Sequence, residues 1–112
     1  MPDQPSTKPP GVVLILSTFG TAEAAEACGK RLVADGLAAC VQIDGPIRSI
    51  YRWQGEIETD EEFRLLIKTA PAARTACQAA LEQLHAYDLP QIVVLDAAAS
   101  PAYAAWVAGT PS

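Results

Sequence analysis

With 112 residues, half of them hydrophobic, the chain has the length for one compact domain around one apolar core, and a charged content of 19% excludes the balance typical of a disordered protein. A net charge of −5 and a pI near 4.6 oppose nucleic-acid binding, which draws on clustered Lys and Arg that displace counterions from phosphate. No apolar run approaches the roughly 20 residues that cross a bilayer, Val12 to Leu16 being the longest candidate, so no membrane association is expected.

Residues 1–10 are rich in proline and polar side chains and lack the basic-then-apolar order of a secretory signal. They read as a flexible tail on a cytoplasmic protein, with a single domain over 11–112. Gly11 to Ser17 is a β-branched run without helical period, which predicts a buried strand. Thr21 is placed to cap a helix, in which Ala25, Cys28, Gly29 and Leu32 recur at helical spacing before Gly36 stops it. A second strand runs from Ala38 to Ile43, is interrupted at Gly45-Pro46 and resumes from Ile47 to Trp53. Gln54-Gly55 marks a turn, and the alternation of Phe63, Leu65 and Ile67 carries a third strand to Thr69, making a long hairpin. Pro71 opens a second helix whose face bears Ala73, Cys77, Ala80, Leu81 and Leu84 and which ends near His85. Gln91 to Leu95 reads as a fourth strand, and Ser100-Pro101 starts a short last helix with Tyr103, Trp106 and Val107 on one side.

The order β-α-β-β-α-β predicts an α+β, ferredoxin-like sandwich in which an antiparallel sheet packs its helices on one face. The other face is then bare, and a two-stranded ribbon carrying Ile47, Ile50, Tyr51 and Trp53 is too apolar to stand alone in water. Oligomerisation is the expected remedy. Three cysteines, Cys28, Cys40 and Cys77, form neither an even disulfide set nor a CxxC motif, and are expected as reduced thiols, Cys28 and Cys77 buried on helix faces.

Three segments resemble the CutA (divalent-cation-tolerance) family: Leu37 to Val41, Ile50 to Glu58, and Leu65 to Thr69. Weaker similarity follows at His85 to Ile92 and at Pro101 to Tyr103 with Trp106. Where the family usually has His-Pro-Tyr-Glu, this chain has His85-Ala86-Tyr87-Asp88, and Gln42 and Ser100 stand where Asn is common. The resemblance implies a homotrimer built by strand exchange and a link to copper and other divalent cations, with no cofactor required.

Thiolate and imidazole suit copper and zinc, which singles out Cys40 and His85, at family positions, as candidate metal ligands. The topology puts them near opposite ends of the sheet, so a shared site calls for a neighbouring subunit. Tyr51, Trp53, Lys68 and Tyr87 are candidates for an intersubunit cleft holding a small anionic metabolite, as in the similarly trimeric PII-type signalling proteins. The acidic stretch Glu56, Glu58, Asp60, Glu61, Glu62 lacks the spacing of a calcium loop and reads as a solvated hairpin end. With one His and no GxSxG, HExxH or phosphate-binding glycine loop, no enzymatic activity is expected.

Overall fold

The computed structural model describes residues 10–109; all of the predicted tail except Pro10 lies outside them. The Pro10 carbonyl accepts a hydrogen bond from the Ala99 N–H at 2.9 Å, which ties Pro10 to the folded domain. The elements are β1 (Gly11–Phe19), α1 (Ala22–Ala34), β2 (Cys40–Trp53), β3 (Glu56–Thr69), a 3-10 turn (Pro71–Ala73), α2 (Arg74–Leu84), β4 (Val93–Ala98) and α3 (Pro101–Gly109). The four strands form one antiparallel sheet in the order β2-β3-β1-β4, the ferredoxin-like arrangement with an added C-terminal helix.

Strand alternation decides what each face of this sheet carries. Val13, Ile15 and Phe19 of β1 point with Leu65 and Ile67 of β3 toward α1 and α2, where Ala25, Cys28, Leu32, Cys77 and Leu81 complete one buried cluster. Thr21 caps α1 as expected, its hydroxyl accepting the Ala24 N–H at 3.1 Å. Gly29 lets α1 approach the sheet closely, since a Cβ there would lie 2.8 Å from Val41 Cγ2. Cys28 and Cys77 are both buried, and no described cysteine is in a disulfide.

Leu14, Leu16, Leu66, Val93 and Leu95 share the opposite face with Cys40 and Lys68, as the register pairs show. α3 reaches this face at one end, where Lys68 Nζ lies 5.6 Å from the centre of the Tyr103 ring. Ala104 and Val107 are the residues α3 buries, whereas Trp106 is 52% exposed with its ring 5.7 Å from that of Tyr103, so the side that carries Tyr103 and Trp106 is only partly enclosed. A helix apolar on all sides offers no periodicity from which to choose its inner face. Val93 and Leu95 remain 42% and 46% exposed.

β4 begins at Val93, two residues later than expected, and runs on to Ala98. Its extent follows its partner: pairs from Leu16↔Val93 to Gly11↔Ala98 use β1 to its first residue, so ladder hydrogen bonds carry Ala97 and Ala98 into a strand their own propensity disfavours.

β1 ends opposite Phe63, while β3 and β2 continue together from Ile47↔Glu62 to Trp53↔Glu56. These seven residues of β3 project about 24 Å at strand rise, and the molecule is 54 Å long with a radius of gyration of 15.9 Å, against about 13 Å for a compact chain of this size. The ribbon closes in a two-residue turn with positive φ at both Gln54 (51°) and Gly55 (83°), the type I′ geometry that matches strand twist. At its base the Arg64 guanidinium holds the Asp44 carboxylate with two hydrogen bonds of 3.1 and 2.6 Å, beside a bulge between Asp44 and Ile47.

Candidate functional site

Beyond the end of β1 the ribbon and the loop after α2 enclose an open groove of about 830 Å³. Cross-strand pairing dictates what each side of the ribbon presents. Ile47, Ser49, Tyr51 and Trp53 pair with Glu62, Asp60, Glu58 and Glu56 and share one side; Arg48, Ile50 and Arg52 pair with Glu61, Thr59 and Ile57 on the other. One side is therefore aromatic and acidic, the other aliphatic and carries both arginines. The groove takes Tyr51, Trp53, Asp60 and Glu62 from the ribbon and Tyr87, Asp88 and Leu89 from the loop.

The ring hydroxyls are anchored to these acids. Tyr51 donates to Asp60, and Tyr87 donates to Glu62 Oε2 at 3.3 Å. The bond to Asp60, with that carboxylate and Glu58 and Glu62 close by, pushes the Tyr51 hydroxyl up to about 12. Partial burial, followed by the charge of Glu62, raises Tyr87 as well. Both phenols thus stay neutral donors at physiological pH.

His85 positions the loop. Its ring stacks on Phe19 with centroids 4.2 Å apart and 15° between planes, and lies 4.8 Å from the Tyr87 ring. Nδ1 accepts the Tyr87 N–H at 3.1 Å, and Nε2 faces the Thr18 carbonyl oxygen at 2.8 Å. A carbonyl can only accept and an amide N–H can only donate, which fixes the tautomer with the proton on Nε2. Gly20 lies under Tyr87, where an added Cβ would come 3.3 Å from the hydroxyl.

Of the four residues expected in a cleft between subunits, a single protomer brings Tyr51, Trp53 and Tyr87 together along this groove and holds Lys68 away from it. Lys68 pairs with Leu14 and Cys40 near the far end of the sheet and packs on Tyr103. Asp60 and Glu62, which the sequence pattern reads as solvated acids, line the groove; acids at every second position, 56, 58, 60 and 62, are the signal that they share one side of a strand.

Cys40 and His85 are separated as the topology requires. Cys40 is half-buried on the face opposite the helices, while His85 stacks at the Phe19 end on the helix side, four to five residues along β1, or about 15 Å. Among the described residues no three His, Cys, Asp or Glu side chains converge as a metal site requires.

Residues 13–110 match the CutA1 divalent ion tolerance protein family. The chain belongs to that family. The divalent-cation tolerance protein CutA of Thermus thermophilus is 43% identical over 82 residues, covering 73% of this chain and 80% of that one, and its solved structure superposes with a TM-score of 0.84 over 90% of this chain and 99% of the other at 37% identity. The crystal structure of CutA from Xylella fastidiosa gives 0.82 at 40% identity, covering 86% and 93%. Protein CutA 1, chloroplastic, of Oryza sativa is 34% identical over 90 residues, which are 80% of this chain but half of that protein. No helix among the described residues is long and apolar enough to cross a membrane.

Proposed function

We propose that this protein is a non-enzymatic, homotrimeric member of the divalent-cation tolerance system of the cytoplasm, with Cys40 as a soft ligand for copper. The observation that carries the metal reading is the state of the three thiols: Cys28 and Cys77 are buried, and Cys40 alone reaches the surface, on an edge strand and on a face that a neighbouring copy can approach. Thiolate is the donor that favours copper over the hard cations. Because the described residues of one protomer do not gather three donors, the remaining ligands come from another subunit. His85 joins such a site only by giving up a ring nitrogen now bonded to Tyr87 or Thr18.

Assembly is supported by the apolar surface left over: Ile50 and Ile57 on the ribbon are 67% and 71% exposed, and Val93 and Leu95 are 42% and 46% exposed on the sheet face opposite the helices. Exposed apolar surface of this kind marks interaction sites. Within one protomer an anionic metabolite finds little electrostatic support, because Asp60, Glu62 and Asp88 outnumber Arg52 along the groove and Lys68 sits at the far end of the sheet.

Calorimetric titration of the reduced protein with Cu(I), Cu(II) and Zn(II) tests the metal reading. Cys40→Ser should weaken Cu(I) binding by about a hundredfold, the loss of one charge-assisted soft ligand, and His85→Ala less. Equal, weak binding by all three proteins would sink it.

A further inference from the structure

The groove between the ribbon and the loop after α2 combines three carboxylates, Asp60, Glu62 and Asp88, with three aromatic rings, Tyr51, Trp53 and Tyr87, and the apolar Leu89. The sole cation among its described lining residues is Arg52, which belongs by register to the other side of the ribbon, paired with Ile57. The walls thus favour positive charge and offer flat apolar surface to whatever carries it.

A small metal ion fits this arrangement poorly. Asp60 and Glu62 stand two residues apart on one strand, about 7 Å along the backbone. Each is held in place by a different phenol hydroxyl, and no three such side chains among the described residues converge as a metal would require. A metal with oxygen bonds of about 2.0–2.6 Å needs its ligands drawn together. Charges strung out along an apolar trough suit a ligand whose own charges are strung out along an apolar chain.

We propose that this groove binds an aliphatic oligoamine. Successive ammonium groups pair with Asp60, Glu62 and Asp88, while the methylene segments lie on Trp53, Tyr51 and Leu89. The aromatic faces add cation–π attraction to ammonium groups passing over them. Tyr51 and Tyr87, donating their hydroxyls to Asp60 and Glu62, hold the carboxylates apart at the spacing of the strand. Within the protomer Lys68, packed on Tyr103 at the far end of the sheet, does not compete for them.

This inference stands apart from the copper reading, since it uses neither Cys40 nor His85 as a ligand, and either can fail alone. Spermidine is the probe, titrated calorimetrically into the assembled wild-type protein in buffer of physiological ionic strength with metals removed. Saturable binding is expected, weakened at least about tenfold in the near-isosteric double variant Asp60→Asn, Glu62→Gln. The variant Glu26→Gln, Glu82→Gln removes two carboxylates from helices α1 and α2, both exposed and outside the groove, and should bind as the wild type does. Absence of saturable binding, or an equal loss in both double variants, would overturn the proposal by reducing the interaction to net charge. Trp53→Leu provides a second reading on the apolar wall and should weaken binding severalfold; wild-type affinity in both Trp53→Leu and the Asp60, Glu62 variant would likewise overturn it.

Discussion

The two halves of the β2–β3 hairpin are continuous strands with opposite fates. Near the globule, Leu65 and Ile67 are fully buried because α1 and α2 stand over them; further out, Ile50 and Ile57 are about two-thirds or more exposed because none of the described helices reaches that far. Apolar character alone does not bury a side chain. What stands opposite decides whether an isoleucine stabilises the protomer or waits for a partner, and each half should therefore respond to substitution in a different observable.

The largest effect on protomer stability is expected from Leu65→Ala, which should cost about 2–5 kcal/mol by denaturant unfolding, whereas Ile57→Ala should leave the intrinsic protomer stability nearly unchanged and alter assembly. Gly29→Ala comes next. Its new Cβ, 2.8 Å from Val41 Cγ2, should destabilise by about 1–3 kcal/mol through overpacking, while Gly55→Asn at the ribbon tip, with open space around it and a conformation Asn tolerates, should cost far less.

A pH series separates the halves again. Burial, with Cys28 nearby, pushes the Cys77 thiol up to about 11 from an ordinary value of 9.0. The neutral thiol is the form the fold accepts, so no stability is lost below pH 9; between pH 9 and about 11 the unfolded chain ionises first and stability declines. Cys77→Ala should flatten that alkaline slope. Mild thiol labelling of the native protein should correspondingly find Cys28 and Cys77 slow and Cys40 fast.

The smallest effect carries the opposite sign. Ser17 is fully buried on β1 and its hydroxyl has no hydrogen-bond partner among the described residues. Ser17→Ala should be neutral or stabilising by about 1 kcal/mol, read as a rise in thermal midpoint.

Local pattern made the globular half legible in the sequence. The spacing of Ala25, Cys28, Gly29 and Leu32 marks the face that α1 buries, Thr21 its cap, and Gln54-Gly55 the turn. Where several residues have equal claim to burial, as in α3, pattern fails: Trp106 is larger than Ala104, yet Ala104 is the one enclosed. The groove was legible only in part, because its composition depends on long-range register. Tyr87 meets Glu62 across 25 positions of sequence, and Lys68, a plausible neighbour by residue type, is assigned by register to the far end of the sheet.

Under the proposed assembly, further copies of the chain complete the exposed apolar half of this molecule. Multi-angle light scattering of the reduced, metal-free protein, followed through dilution into the micromolar range, tests it directly. The expected mass is three times the 11.8 kDa of the chain, maintained on dilution and lowered by Ile50→Ser with Ile57→Ser while the far-ultraviolet circular dichroism of the fold persists. A folded, monodisperse monomer at micromolar concentration would contradict it.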